Sequence, residues 1–308
     1  MTAKLSLHVV GLFLALTPEA LGGSRIAILQ SEDLPVYDSP IASFQSHVEA
    51  SSIIYDLRGE RDRSHAIARR LQMDRPEVVL ALGAKAAYTA VTELPGTPVV
   101  FAMVFDPARY GIEGAYVTGV TMDVPPSMVL EQVALFLPQV NHIGLLVSQG
   151  HQSDQVANIV TEANAHGIKV TARRISHPRD VPRAFAAMRN EVNALWLLPD
   201  PVLLTPRNFQ HLRGETTRLN MPLLVHSEAL VQAGALMCVA PDYDLVGSQA
   251  ADLVQRVLNG ENVGTIEPIA PAAPRVVLNR ATMNAIDLEV DAVLLDFVDE
   301  VVVPREAR

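Results

Sequence analysis

The stretch EVVLALGAKAAYT, residues 77–89, sets the reading of the whole chain. Val78, Val79, Leu80, Ala81 and Leu82 form an unbroken apolar run, as expected of a parallel strand covered on both faces. Gly83 permits a sharp exit, and residues 85–89 are mostly good helix formers. A strand that ends in Gly and opens a helix leaves backbone N–H groups pointing outward. In open α/β sheets, ligands, anionic ones above all, settle at such ends. The same turn also serves as a plain βα connection, since most such units bind nothing.

Outward from this stretch, apolar β runs alternate with helical segments. Strands are expected at 25–30 (RIAILQ), 51–57 (SSIIYDL), 98–104 (PVVFAMV) and 117–122 (VTGVTM), with helices over 39–48 and around Ile67 and Leu71. Units of this spacing argue for a parallel, doubly wound sheet. At 123–127 (DVPPS) the pattern restarts, because two prolines suit a helix start and cannot sit inside a strand. A helix over 128–137 follows, then strands at 143–147, 169–173, 194–198 and 223–225. The helices between them include one with Val156, Ile159, Val160 and Ala163 on a single face. Two similar α/β halves joined near residue 122 are the architecture this implies.

The tail breaks the repetition. Residues 235–239 read as a strand, and Asp242 or Asp244 can cap a long helix that Asn259 and Gly260 stop. The proline-rich stretch 266–274 reads as a linker returning to the other half, with a last strand at 275–278. The acidic segment 287–300 is expected as a solvated amphipathic helix rather than a metal site, because a metal cage needs converging carboxylates.

The 308 residues suggest roughly two domains. Hydrophobic residues at 49% and charged residues at 19% supply a core and argue against disorder. A net charge of −10 without a Lys/Arg block speaks against a nucleic-acid surface. Cys238 is the single cysteine, which excludes a disulfide framework and a paired-thiolate zinc site. It lies in an apolar strand and is expected to be an inert core thiol. Lys4, the apolar stretch 5–16 and Ala20-Leu21-Gly22 read as a signal peptide over 1–23, the alternative being a Leu/Val-rich first strand. The apolar run is too short to span a bilayer. With no cysteine at the cleavage site for a lipid anchor, an exported, soluble, periplasmic protein is expected.

Motifs for dinucleotide, phosphate-loop, serine-hydrolase and zinc-protease chemistry are absent. The histidines are scattered singly. His226 follows a strand end and stands out, but a lone His without an orienting partner is more often structural than catalytic. No catalytic residue, metal or cofactor is expected.

Four stretches carry a family resemblance: VVLALGAKAA (78–87), VVFAMVFDP (99–107), VTGVT with the helix ending in Leu-Pro (117–138), and APDYDLVGSQAADLVQRVLNGE (240–261). With the order of units, they resemble the periplasmic substrate-binding proteins of ABC transporters, in particular the tryptophan- and tyrosine-type components. The resemblance covers about residues 25–303. It implies two Rossmann-like lobes of the type I periplasmic-binding-protein class, each a parallel sheet flanked by helices, with a ligand cleft between them. Lobe one would span 24–121 plus 242–262 and lobe two 122–237 plus 265–303, with hinge crossings near 121–123, 237–241 and 262–268.

The resemblance also implies the function: capture of a small organic, amino-acid-like ligand and its delivery to a membrane permease by a monomeric protein. A sensing module of the same fold, or an α/β enzyme with an unrecognised cleft, are the alternatives. Matched by position, lobe one offers Gln30, Ser31, Gly83, Ala84, Lys85, Phe105 and Asp106. Lobe two offers Gln149, Gly150, Asp200, Ser227 and Glu228, with Asp242 and Tyr243 at the hinge. Bland roles compete: Asp106-Pro107 is a common turn, Asp242 a helix cap, Phe105 a core residue. Ala84 stands where the family usually has Ser or Thr, and Ser148-Gln149-Gly150 replaces its Asn-Pro-Gly-like turn, so the ligand need not be an ordinary amino acid.

Overall fold

The computed structural model describes residues 26–149, 153–200 and 202–303; the expected leader over 1–23 and Gly150 lie outside them. The chain opens with β1 (Ile26–Gln30), α1 (Asp38–His47), β2 (Ser52–Asp56), α2 (Arg61–Asp74), β3 (Val78–Leu82), α3 (Ala84–Glu93), β4 (Val99–Val104) and β5 (Val117–Thr121). These five strands form one parallel sheet in the order β2-β1-β3-β4-β5. The unbroken apolar runs have a direct cause. Val78, Leu80 and Leu82 enter the core on one face of the sheet, while Val79 and Ala81 enter the core on the other.

The second lobe continues with α4 (Pro126–Phe136), β6 (His142–Ser148), α5 (Ser153–Ala165), β7 (Lys169–Ile175), α6 (Val181–Ala186), β8 (Ala194–Trp196), α7 (Pro206–Arg218), β9 (Leu223–Val225), α8 (Glu228–Gln232) and β10 (Met237–Pro241). The chain then returns to the first lobe as α9 (Tyr243–Leu258), which packs along α1. It ends in the second lobe with β11 (Pro274–Asn279), α10 (Arg280–Ala285), α11 (Ala292–Leu295) and β12 (Glu300–Val302). The second sheet runs β12-β11-β10-β9-β8-β6-β7, and only the β10–β11 pair is antiparallel. The fold is thus α/β, two lobes with sheets flanked by helices, as expected.

The crossings sit at β5/α4, β10/α9 and beyond Ile269. The crossing expected near 237–241 follows the end of β10, an internal strand of the second sheet. Ile269 still belongs to the first sheet, because its N–H donates to the Gly119 carbonyl and its carbonyl accepts from the Thr121 N–H, both at 2.9 Å. The tail also differs from expectation. The only helix within residues 287–300 is the one-turn α11, and β11 is not the last strand, since β12 adds to its free edge. β11 would otherwise leave a row of unpaired backbone groups, and the β-branched residues of Glu300–Val302 suit an edge strand. Asp299 closes the corner by accepting the Val276 N–H at 2.7 Å.

Candidate functional site

In open α/β sheets the strand C-termini make the usable surface, and here both sheets turn those ends toward one cleft. A cavity of about 410 Å³ lies there. The first lobe supplies Phe105 and Asp106 after β4, the first crossing supplies Met122 and Asp123, and the second lobe supplies the ends of β8, β9 and β10 with faces of α4 and α5.

A break in β4 aims the first of these. Met103 is left-handed at φ 59°, and the β4–β5 register shifts between Phe101 and Val104. Asp106 is left-handed as well, at φ 44°. Such backbone costs on the order of 1 kcal/mol or more per non-glycine residue and persists where neighbours over-determine it. The neighbours do so here: Asp106 N–H donates to Asp123 Oδ2 at 2.9 Å, and Met122 N–H donates to the Val104 carbonyl at 3.0 Å. The bulge therefore turns Phe105 and Asp106 out of the sheet and into the cleft.

On the opposite wall, Trp196 ends β8 with Leu198 two residues beyond it, and Val225 ends β9 with His226 directly after. His226 stands edge-on to Phe105 across the lobes, ring centroids 5.8 Å apart at 86°. Burial holds its imidazole below the usual histidine range, partly offset by a hydrogen bond to the Leu197 backbone, while Nδ1 is buried without a partner. A neutral ring follows at neutral pH. Gln155, Asn158 and Ile159 share the cavity-facing side of α5, as i, i+3, i+4 neighbours must.

Of the expected site residues, Phe105, Asp106 and Asp200 line this cavity. Asp200 is 3% exposed, and its carboxylate accepts the backbone N–H groups of Ser148 at 2.8 Å, Val202 at 3.0 Å and Leu203 at 3.3 Å. It holds the loop after β8 against β6. The central turn is already closed. Ser31 Oγ donates to the Leu82 carbonyl and accepts the Ala86 N–H, each at 3.0 Å. Gly83, at φ 85°, lies so close under the Tyr37 hydroxyl and Ser31 Oγ that a Cβ would collide with both. Gly83, Ala84 and Lys85 are not among the cavity-lining residues, and Gln30 is buried at the end of β1.

The other expected residues have local roles. Gln149 Nε2 donates to Ser176 Oγ at 2.8 Å. Ser227 precedes α8 without a side-chain capping bond. Glu228 pairs with Arg275 at 2.8 Å, which also reaches Glu300 at 2.8 Å, so this network joins α8, β11 and β12. Asp242 Oδ1 accepts the N–H groups of Asp244 at 2.9 Å and Leu245 at 3.1 Å, capping α9. Tyr243 packs on the first-lobe core, and burial pushes its phenol up to about 12, with the nearby Glu228 charge adding to it. Among the residues not foreseen are Arg109, Tyr110, Asp123, Trp196 and the α5 amides. The sole Trp at a strand end was the available signal; the amides lie on the same helix as the core positions and carried none.

Among the described residues no three His, Cys, Asp or Glu side chains converge as a metal site requires, and no helix is long and apolar enough to cross a membrane. A tyrosine-binding protein of Clostridioides difficile (strain R20291) is 23% identical over 242 residues, 76% of this chain and 70% of that protein. The ligand-free, open structure of a substrate binding protein with adhesive properties from Clostridium difficile superposes with a TM-score of 0.75. It is 18% identical and covers 91% of this chain and 99% of that one. A Streptococcus pneumonia ABC domain in complex with L-Trp gives 0.64 at 19% identity, over 90% and 99% of the two chains. The model of the ABC transporter substrate binding protein family matches residues 55–302, and the chain belongs to that family.

Proposed function

We propose that this chain is the periplasmic solute-binding component of an ABC transporter. It captures a small organic ligand with an apolar body in the interlobe cleft and hands it to a membrane permease. The observation that carries this is the cavity of about 410 Å³ between the two lobes, with Trp196, Leu198, Val225 and Phe105 as apolar walls and a few polar groups among them. Its size suits a single amino-acid-sized molecule. The three crossings beside it allow a hinge, and closing the lobes would exclude water from the ligand. Phe105 and Asp106 contact the ligand from the first lobe. Asp200 positions the loop that bears Pro199 on the opposite wall. The family's relatives are binding proteins rather than enzymes, and the ligand leaves unchanged.

The test is mass spectrometry of protein exported to the periplasm of a native host, with the small molecules released on denaturation. One stoichiometric organic compound, recovered chemically intact, is the expected result. Recovery of a converted product in excess of the protein, or retention of the protein in the cytoplasm, refutes the proposal.

A further inference from the structure

The charges around the cavity are unequal. Asp106, Asp123 and Asp200 line it against the single Arg109, and His226 adds no positive charge while its ring is neutral. Two of these carboxylates are committed, Asp200 to three backbone N–H groups and Asp123 to the Asp106 N–H. Asp106 is different. It is half-buried, its backbone is pinned by the β4 bulge and by Asp123, and its carboxylate has no hydrogen-bond or ion-pair partner among the described residues. A carboxylate drawn from water beside apolar walls is costly to leave unpaired, and a cation arriving there relieves that cost.

Seats for an anion are correspondingly poor. Helix N-termini are the usual ones, and those around the cleft are capped, short of donors or faced by an acidic side chain, as is the five-residue α8 with Glu228 in its first turn. Ser31 Oγ takes the Ala86 N–H at the start of α3, which stands outside the cavity lining. α4 begins at Pro126, directly after Pro125, and neither residue has an N–H to offer. α5 carries Asp154 in its first turn. α7 is capped by Thr205, whose hydroxyl accepts the Asn208 N–H at 3.2 Å. Among the described residues Arg109 is the one Lys or Arg lining the cavity, on the exposed rim three residues past Asp106. Phe105, Tyr110 and Trp196 also line the cavity, and the electron-rich faces of such rings favour a cation.

Resting on the solute-binding reading above, we propose that the cleft selects an organic ammonium with an aromatic or apolar body, received by Asp106, and that it does not require a carboxylate on that ligand. The cleft is then built for amines rather than for zwitterions.

Calorimetric titration of the chain with three matched sets tests this: tryptamine and tyramine, tryptophan and tyrosine, and the corresponding indolyl- and hydroxyphenyl-propionates, which lack the ammonium. The amines should bind at least as tightly as the amino acids. The propionates should bind more than about tenfold more weakly than the amines, since a lost charge-assisted bond is worth a decade or more. Asp106→Asn, with an unchanged melting curve, should weaken amine binding by about tenfold or more. Arg109→Gln should leave it within about threefold, as expected of an exposed rim charge. Amino acids binding more than about tenfold more tightly than amines, with Arg109→Gln erasing the difference, would overturn the amine assignment while leaving solute binding intact. Tighter propionates would overturn it likewise. Silence from all six compounds also refutes it, and the co-purified molecule from the periplasmic protein then decides separately whether the solute-binding reading stands.

Discussion

Replacing Gly247 with Ala sets two effects of known size against each other. Gly247 sits inside α9 and faces α1, and helix propensity alone predicts a gain of about 1 kcal/mol for Ala over Gly. The packing opposes it. A Cβ at Gly247 would overlap the Pro40 carbonyl oxygen and come within 2.9 Å of both Pro40 Cα and Ser43 Cβ. Two of those three atoms are backbone, so no rotamer change relieves them. Carbon atoms pack at about 3.5–4.0 Å, so the helices must part. Parting them strains the bonds from Ser39 Oγ to Asp244 Oδ1 and from Ser43 Oγ to the Asp244 carbonyl, the latter 2.7 Å. Overpacking of this kind costs about 1–3 kcal/mol and sits at the upper end when backbone is the obstacle. The net effect is a destabilisation of about 2 kcal/mol, or a fall in Tm of about 4–8 °C at 2–4 °C per kcal/mol. Gly214 supplies the matched control. It is exposed in α7 with nothing within 4 Å of its would-be Cβ, so Gly214→Ala should raise stability by the propensity gain of about 1 kcal/mol. Differential scanning calorimetry of both variants reads the two signs directly. A Gly247→Ala protein that melts at or above the parent would show that α1 and α9 do not approach as described.

Three further outcomes are expected. Asp242→Ala should cost about 1 kcal/mol of stability and Asp242→Asn almost nothing, because Asn caps as well as Asp. Neither should change ligand affinity in titration, and a large affinity loss in Asp242→Asn would instead place the carboxylate on the ligand. His226 is held neutral by burial, so below the unfolded histidine value of about 6.5 the unfolded chain binds a proton that the folded one refuses, and stability falls as pH drops. Denaturant melts should show a steeper loss between pH 7 and pH 5.5 for the parent than for His226→Gln, and equal slopes would contradict this. Cys238 is 1% exposed and its thiol is pushed up to about 12 by burial, with the Glu228 charge adding to it. Ellman's reagent should leave it untouched in the native protein and modify it fully in denaturant.

The class of fold was legible in the sequence because it rests on local physics. Fully apolar runs such as Val78–Leu82 have one stable home, a parallel strand with helices on both faces. Asp242 ahead of a long amphipathic stretch, and the prolines at the head of α4, announced their helix starts for equally local reasons. What the chain alone did not decide were the partnerships between residues far apart. Nothing near Gly83 says that Ser31, 55 residues before Ala86, takes that residue's N–H, or that Tyr37 folds over the turn. Nothing in the acidic tail says that β11 has a free edge for Glu300–Val302 to fill. The way the cleft is put together was hidden for the same reason. Phe105 meets His226 only because a bulge at Met103 turns one strand end out of its sheet toward the other lobe. Secondary structure follows from neighbours along the chain, but a binding surface is made of strand ends brought together in space, and only tertiary packing sets which ends those are.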